Sequence, residues 1–228
     1  MLKIKALKKG YEGLLVLKNI NLEVTKKEIV ALLGPSGCGK STLLNLIAGL
    51  VKEDGGKIDN QAEKIGYVFQ EDRLLPWLTV YENIRVAGEK ENKKRIHELI
   101  GKMKLTGFEH YYPEQLSGGM CQRCGIARAL YYGSSLLLMD EPFRSLDYGL
   151  RLEMLEQVKE VCRTENTSVV FVTHDIEEAL MIADRVLVFG KRPATIIREV
   201  ELPRTERLRR VEEERLMKLK SEIHTLIA

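Results

Sequence analysis

The sequence contains no apolar run long enough to cross a membrane. Its longest apolar stretches, residues 136–139 and 169–172, fall far short of the roughly 20 residues that a membrane-spanning helix needs. The first residues also lack the apolar run and the small-residue cleavage site that are typical of a signal peptide. We therefore expect the chain to fold in the cytosol, and we expect another polypeptide to supply any membrane-spanning helices of its system.

Cysteine and net charge are both sparse. The four cysteines, Cys38, Cys121, Cys124 and Cys162, are scattered along the chain, so the sequence predicts no disulfide framework. Lysine and arginine total 36 against 33 acidic residues, a balance without the basic excess typical of nucleic-acid-binding domains. We therefore expect no nucleic-acid partner. A hydrophobic content of 44 % is enough for a buried core in a globular domain.

Short runs of β-branched residues and leucine alternate with helical patterns. This alternation predicts an α/β fold with a mostly parallel sheet. The predicted core strands are residues 28–33, 64–69, 136–140, 168–172 and 185–189. The residues up to about Val24 predict antiparallel strands, joined by turns at Lys9-Gly10 and Lys18-Asn19, ahead of the parallel core.

The pattern changes between Asp72 and Tyr131, where apolar residues recur at helical spacing over residues 80–87 and 96–103. This segment predicts a helical insertion. Near the end, an amphipathic helix, or two, is predicted from Leu208, Val211, Leu216, Leu219, Ile223 and Leu226. We therefore expect one domain, residues 1–228. Its α/β core and β flap cover residues 1–71 and 132–203, the helical subdomain residues 72–131, and a helical tail residues 204–228.

The strongest motif is a glycine-rich loop between a predicted strand and a predicted helix. It consists of Gly34, Pro35, Ser36, Gly37, Cys38, Gly39, Lys40 and Ser41, followed by Thr42. Glycines let backbone N–H groups approach phosphate oxygens, and the positive end of the following helix adds to the attraction. Lys40 suits the β- and γ-phosphates of a nucleotide, and the Ser41 hydroxyl suits Mg²⁺. The alternative is a glycine-rich turn that matches by chance.

A second candidate is the pair of acids that ends the apolar strand at residues 136–140. Buried strands rarely finish on two carboxylates unless a cation or a proton transfer uses them. Asp140 would hold Mg²⁺, and Glu141 would polarise an attacking water as general base. Two acids that merely cap the next helix are the alternative.

A third motif is Ser117-Gly118-Gly119, which precedes a helix running towards Leu130. A serine and two glycines at a helix start form a second anion cradle, without the lysine of the first. With these motifs the sequence resembles the ATP-binding cassette ATPases over nearly its whole length. The resemblance implies a P-loop NTPase (RecA-like) core with an N-terminal antiparallel β subdomain and an inserted α-helical subdomain. It also implies ATP and Mg²⁺ as cofactors.

The resemblance assigns further site residues. Tyr11 matches the aromatic position that stacks on adenine, and Gln70 matches the Q-loop glutamine that contacts Mg²⁺. Asp147 ends a sequence similar to the D-loop, and His174 matches the switch histidine. Taken alone, Tyr11 is more typical of a surface or core aromatic and His174 of a hydrogen-bonded core histidine. Both assignments therefore depend on their place in the ordered series of motifs.

In the family, two subunits meet head to tail, and each nucleotide lies between one P-loop and the partner's signature loop. The resemblance thus implies a homodimer with two ATP sites, in which Ser117, Gly118 and Gly119 complete the site of the partner copy. Catalysis would involve Lys40, Gln70, Glu141 and His174, with Glu141 orienting water in line with the γ-phosphate.

The resemblance implies an ATP-binding and ATP-hydrolysing subunit that powers a bacterial importer, peripheral at the cytoplasmic face of the inner or plasma membrane. The alternative is a soluble mechanical ATPase of the DNA-repair or translation type. That class usually carries a long coiled-coil insertion or tandem cassettes, and the sequence shows neither. A regulatory module without turnover is disfavoured by Glu141 and His174.

The segment after Gln70 predicts the partner. Residues 74–77 are apolar and include the only tryptophan, Trp77. In the family this region receives a helix of the transmembrane permease subunit; the alternative is that Trp77 packs inside the helical subdomain. The sequence of residues 70–77, together with Leu202-Pro-Arg204, resembles that of ATPase subunits from the nitrate, sulfonate and taurine branch of importers. It is also similar to the uptake systems for thiamine-precursor pyrimidines. It implies a small anionic or thiamine-precursor-like solute and a solute-binding protein.

Some residues depart from the usual family pattern. Cys121 and Cys124 lie in the signature helix, Lys27 replaces a usual glycine, and Arg144 replaces a usual small residue. A C-x-x-C pair binds metal or cycles between thiol and disulfide in other proteins, but two further ligands are not nearby in sequence. We therefore predict a structural role for this pair.

Overall fold

A computed structural model describes residues 1–202 and 220–225. It divides into two compact units, of which the first contains Met1–Ala62 with the described residues from Ser168 onward, and the second Glu63–Thr167. None of the described helices is both long and apolar enough to span a bilayer.

The elements follow in chain order. They are β1 (Leu2–Tyr11), β2 (Leu14–Val24), β3 (Ile29–Leu33), α1 (Lys40–Ile47), β4 (Gly55–Asn60), β5 (Ile65–Val68), α2 (Val80–Arg85), α3 (Lys93–Lys102), a 3₁₀ turn (Pro113–Gln115), α4 (Gly118–Tyr131), β6 (Leu136–Asp140), α5 (Tyr148–Thr164), β7 (Ser168–Val172), α6 (Ile176–Ile182), β8 (Arg185–Phe189) and β9 (Ile196–Glu201). Residues 220–225 are helical as well, and Ile223 there is buried. The other apolar positions of the predicted tail helix lie outside the described residues.

The first unit begins with an antiparallel sheet in the order β2-β1-β4. The antiparallel prediction is confirmed, but both predicted turns are wrong. The chain reverses at Glu12-Gly13, whose φ angles of 49° and 83° are those that a two-residue hairpin of the primed type requires. Lys9-Gly10 and Lys18-Asn19 lie inside the strands, next to shifts of register. Turn-forming residues at these two points mark β-bulges.

Strand β4 was absent from the predicted strands because its residues have low strand propensity. Its sequence, Gly55-Gly-Lys-Ile-Asp-Asn60, has a single apolar side chain, and glycine, aspartate and asparagine are depleted in strands. It pairs with β1 nonetheless, because Gly56 adopts a φ of 87° where the backbone of Ala6 comes close. Pairing with β1 thus overrides weak local propensity.

The remaining strands of the first unit lie in the order β7-β3-β8-β9. Strands β7, β3 and β8 are parallel, and β9 is antiparallel to β8. Strands β3 and β7 are buried at every residue, as the continuous apolar runs predict. Strand β9 is mostly exposed and was missed. Glu28, predicted as the first strand residue, precedes β3. Burial opposes its ionisation, but hydrogen bonds from Arg185 and Thr25 outweigh that effect and lower the pKa of its carboxyl.

The second unit contains the parallel pair β5-β6 and helices α2 to α5. The predicted helices at 80–87 and 96–103 are observed as α2 and α3, and no strand interrupts the described residues 72–131. Helix α2 begins with a capping box between Thr79 and Glu82. Helix α5 was not predicted, although its buried residues recur at helical spacing: Met154, Leu155, Val158, Val161 and Cys162.

We expect two glycines of the antiparallel sheet to respond differently to alanine. A Cβ on Gly13 (φ 83°) would meet nothing within 4 Å, whereas a Cβ on Gly56 (φ 87°) would lie 2.5 Å from the carbonyl oxygen of Ala6. Gly13→Ala should cost about 1 kcal/mol of unfolding free energy, from the positive φ alone. Gly56→Ala should cost about 2–3 kcal/mol, because backbone must move as well. Urea denaturation followed by circular dichroism measures both, and equal losses would contradict the observed β1–β4 contact.

Candidate active site

The glycine-rich loop directly follows strand β3 and leads into helix α1. A Cβ on Gly34 (φ 154°) would lie 2.8 Å from the carbonyl oxygen of Phe189, and one on Gly39 (φ 119°) would lie 2.7 Å from a methyl of Val16. Both contacts are too short for any side chain, so glycine is required for sterics as well as for φ. Gly39 is also the N-cap of α1 and makes no side-chain cap. The first amides of α1 are therefore suited to an anion.

Lys40 is buried, with 6 % of its surface exposed, and its ammonium group turns back onto the loop. Its Nζ donates to the carbonyl oxygens of Gly34 at 2.8 Å and Pro35 at 2.9 Å. Arg192, in the loop between β8 and β9, donates from Nε to the carbonyl oxygen of Gly37. The loop is thus ordered by two cations of the first unit. Sequence reasoning missed Arg192, because the residue lies 155 positions away from its partner.

His174 lies at the same edge of the first unit's sheet as the glycine-rich loop. It follows β7, which pairs in parallel with β3 so that Leu32 is opposite Val172, and the Thr173 amide donates to the Leu32 carbonyl at 3.2 Å. The side chain of His174 is exposed. Ligands of open parallel sheets bind at the carboxyl ends of the strands, and both segments lie there.

Tyr11 is 44 % exposed at the β1–β2 hairpin, and the ammonium group of Lys9 lies 5.1 Å from its ring centre. The ring is therefore on the surface and not in the core, which leaves a face available for stacking. The polar residues Ser36 and Ser41 are exposed as well, while Thr42 is half-buried and Cys38 is buried.

In the second unit, Gln70 follows strand β5 and Asp140 ends the neighbouring parallel strand β6. Strands β5 and β6 pair so that Val68 is opposite Met139, and Gln70 and Asp140 therefore lie at the same edge of this strand pair. Gln70 is exposed, whereas Asp140 retains 6 % exposure. Glu141 has a φ of 47°, an uncommon value for a residue with a side chain, and its carboxylate is 3.6 Å from a guanidinium nitrogen of Arg144. Strain of this kind is found at functional sites.

The signature loop, Ser117-Gly118-Gly119, packs at Gly119 against the predicted D-loop, residues 145–147. Ser117 is the N-cap of α4 and accepts a hydrogen bond from the Met120 amide at 3.3 Å. A Cβ on Gly119 would lie 3.1 Å from the carbonyl oxygen of Ser145 and from a methyl of Leu146, so a side chain here would require these neighbours to move by a few tenths of an ångström. Asp147, which directly follows Leu146, caps α5 by accepting from the Leu150 amide at 3.0 Å. Exposed Gly118 has no such neighbour.

Gln122 bonds both to the turn after β6 and to the segment that precedes α5, and sequence analysis predicted no role for it. From helix α4 its amide nitrogen donates to the Glu141 carbonyl at 3.2 Å, and its amide oxygen accepts from the Ser145 N–H at 3.1 Å. The side chain is buried, with 3 % exposed. One glutamine thus orders both the turn that carries Glu141 and the start of the D-loop.

Both cysteines of helix α4 are buried. Cys121 donates to the Pro113 carbonyl at 3.6 Å and Cys124 to the Val80 carbonyl at 3.8 Å. Burial raises the pKa of the Cys124 thiol to about 12 and also raises the pKa of Cys121. Within residues 1–202 and 220–225, no cluster of three His, Cys, Asp or Glu side chains suits a metal ion. The structural role of the pair stays a prediction.

Comparison with known proteins decides the family. A family model described as ABC transporter matches residues 17–144, more than half of the chain. The chain belongs to the ABC transporter family. The predicted family is therefore confirmed, and so is the ATP-hydrolysing activity that goes with its ATPase domain.

Curated relatives of this ABC protein cover most of its length. It is 43 % identical to an aliphatic sulfonates import ATP-binding protein, SsuB 1, of Pseudomonas savastanoi pv. phaseolicola, over 88 % of this chain and 85 % of the relative. It is 42 % identical to the aliphatic sulfonates import ATP-binding protein SsuB of Bacillus thuringiensis subsp. konkukian, over 82 % of this chain and 78 % of the relative. These relatives confirm the prediction that the chain is the ATPase subunit of an importer. They give no support to the alternative, a soluble mechanical ATPase.

Solved structures confirm the fold class. The ATP-binding cassette MJ0796, as a dimer in a post-hydrolysis state bound to ADP and Pi, superposes with a TM-score of 0.80 at 32 % identity. The match covers 89 % of this chain and 99 % of that one. A second dimeric structure of MJ0796, described as a bacterial ABC transporter cassette, gives a TM-score of 0.78 at 33 % identity and the same coverage.

We expect the thiols of Cys124 and Cys162 to be almost inert in the folded protein. Burial raises the pKa of each to about 12, so very little thiolate is present at pH 8. Alkylation by iodoacetamide at pH 8 should be on the order of a hundredfold or more slower than after unfolding in urea. Peptide mass spectrometry measures the two rates. Rapid labelling of Cys124 in the native protein would instead indicate a reactive pair.

Proposed function

We propose that this chain binds ATP with Mg²⁺ through the glycine-rich loop and hydrolyses it to drive a bacterial importer of small anionic solutes. The close backbone approach at Gly34 and Gly39 is the observation that carries the nucleotide assignment, because it leaves a cradle of amides without side chains. The phosphate-binding set is residues 34–42, with Lys40 as its cation. Tyr11 supplies an exposed ring for the adenine.

The metal ligands follow from the same proposal. Ser41, Gln70 and Asp140 carry a hydroxyl, an amide oxygen and a carboxylate, which are the hard oxygen donors that Mg²⁺ prefers. Bound Mg²⁺ supplies neutralisation of phosphate charge. Around it, Lys40 releases its loop carbonyls to reach the phosphates, Glu141 accepts a proton from the attacking water, and His174 orients the γ-phosphate.

The chain works as a homodimer in this proposal. Ser117, Gly118 and Gly119 of one copy complete the nucleotide site of the other, and Asp147 joins that site. The exposed signature loop at the start of a 14-residue helix is consistent with an anion arriving from outside. The dimeric MJ0796 cassettes, at 32 % and 33 % identity, support the assembly. Hydrolysis removes the charge shared by both copies, so the dimer reopens.

The proposed solute and partners are inferred from the names of the curated relatives. At 43 % and 42 % identity to sulfonate import subunits, a sulfonate or a similar small anion is the best supported cargo, in preference to a thiamine-precursor pyrimidine. Such a system includes a transmembrane permease and a solute-binding protein, with this chain peripheral at the cytoplasmic face of the membrane. The permease docks near residues 70–77, where Trp77 is 70 % exposed and so does not pack inside the helical segment.

We expect Glu141→Gln to trap an ATP-bound dimer. The amide keeps the shape of the carboxylate but accepts no proton, so phosphate release should fall by about a hundredfold or more. Mg²⁺-ATP should then shift the variant from monomer to dimer in light scattering. Parental turnover in this variant would remove the base assignment.

Lys40→Ala is the matched control for the nucleotide site. Without the ammonium group, binding of a fluorescent ATP analogue and ATP-dependent dimerisation should both be lost. Dimerisation of Glu141→Gln together with its loss in Glu141→Gln/Lys40→Ala supports the proposed assembly. Normal hydrolysis by Lys40→Ala would refute the whole site.

We expect Trp77→Ala to uncouple the chain from its permease. The exposed indole is a large apolar anchor, and removal of such an anchor from an interface typically costs 2 kcal/mol or more, or about 30-fold in affinity. Co-purification with the co-expressed permease and ATP-dependent uptake of an alkanesulfonate should fall, while ATPase activity of the isolated chain should persist. Leu50→Ala, at a residue with 60 % exposure in the other unit, is the control. Equal permease binding by both variants would place the docking site elsewhere.

A further inference from the structure

The exposed loop that carries Trp77 is held by a buried asparagine. We call residues 73–78 the Trp77 loop. Asn83 of helix α2 is fully buried, and its amide nitrogen donates to the carbonyl oxygens of Leu75 at 3.1 Å, Leu78 at 2.8 Å and Thr79 at 3.1 Å. Its amide oxygen accepts from the Leu75 N–H at 2.9 Å. A single side chain thus satisfies backbone groups on both sides of Trp77.

An arginine joins the same network to the signature helix. Arg128, in the last turn of α4, donates from Nη2 to the Arg73 carbonyl at 2.9 Å and from Nη1 to the amide oxygen of Asn83 at 3.5 Å. It therefore contacts the first residue of the Trp77 loop and the residue that holds its centre. Its planar guanidinium suits two acceptors at once, which a lysine ammonium on a flexible stem satisfies less well.

Two further contacts fix the ends of the loop. The Arg73 guanidinium lies 3.9 Å from the ring centre of Phe69, which in turn stacks on Tyr67 at 4.0 Å. After the loop, the capping box of Thr79 and Glu82 begins α2. The backbone of the Trp77 loop is thus ordered along its length while the indole itself stays exposed. An anchor that is ordered before binding loses less entropy when a partner engages it.

Helix α4 connects this loop to the other end of the proposed nucleotide machinery. The helix begins at the Ser117 cap, and its Gln122 holds the Glu141 carbonyl; Arg128 lies two turns further along the same helix. A buried helix of this kind moves as one element, so a shift at its start is carried to the residues bonded at its end.

We propose that Asn83 and Arg128 are positioning residues that fasten the Trp77 loop to helix α4, so that the permease-docking indole and the signature loop move together. The inference rests on the proposed function, because it assumes that nucleotide engages the signature loop and that the permease engages Trp77. It adds the physical link between these two surfaces.

The only tryptophan of the chain is the natural reporter for a test. In the monomer without nucleotide, Arg128→Met should roughly double the amplitude of the fast, local component in the time-resolved fluorescence anisotropy of Trp77. Arg128→Lys should lie between the parent and Arg128→Met, because an ammonium group retains one of the two hydrogen bonds. Arg85→Met, at an exposed arginine in the last turn of α2, is the charge-matched control and should behave as the parent.

The coupling is tested in the Glu141→Gln background. There, Mg²⁺-ATP should change the Trp77 emission of the parent and of Arg85→Met, and the change should be lost in Arg128→Met although light scattering still shows the dimer. Melting temperature and far-UV circular dichroism identify any variant that is merely misfolded. If Arg128→Met fails to fold, Arg128→Lys and Asn83→Asp, which keeps the acceptor oxygen but loses the three donated bonds, take its place.

Each outcome decides between the two proposals. If Mg²⁺-ATP produces no dimer of Glu141→Gln, the proposed function fails. If the dimer forms but Trp77 does not respond in the parent, or responds equally in Arg128→Met, the link between loop and helix is refuted and the proposed function stands. A restored response in Arg128→Lys supports positioning by the arginine.

Discussion

The close approach of backbone at the glycine-rich loop is the constraint on which the rest of the site depends. Gly34 packs against the Phe189 carbonyl of β8, and Gly39 packs against the Val16 side chain of β2. The loop is therefore confined between a core strand and the β1–β2 hairpin. Within the loop, Lys40 donates to the carbonyl oxygens of Gly34 and Pro35. A flexible glycine-rich turn would lose much of its anion affinity in becoming ordered, and here the surrounding strands have already imposed that order.

In the second unit, helix α4 holds the functional segments in place, as the strands around the glycine-rich loop do in the first unit. Its first residues form the signature loop, Gln122 holds the turn of Glu141 and the Ser145 amide, and Arg128 holds the Trp77 loop. The high burial of the helix explains its small and adaptable side chains, including Cys121 and Cys124. The thiols bond to backbone carbonyls and fill space within the helical segment.

Much of the architecture could be predicted from the sequence because its signals are local. The core strands are contiguous apolar runs, and the phosphate loop combines φ-permissive residues with a lysine at fixed spacing. The true hairpin turn, strand β4 and the role of Gln122 could not be predicted, because each depends on groups far away in sequence. Asn19 looks like a turn residue, yet pairing with β1 makes it a bulge. Helix α5, in contrast, has a local signal, because its apolar residues recur at helical spacing in the sequence.

Strand β9 has a consequence for the behaviour of the protein at high concentration. Among residues 1–202 and 220–225 it is the last strand in the order of the first unit, is largely exposed, and carries Arg198, Glu199 and Glu201 among its six residues. The edge of a sheet can pair with the edge of another molecule, and ionised side chains of both signs disfavour such contacts by their hydration and by mismatched charges. The charged side chains of β9 thereby disfavour open-ended association of the protein through this sheet.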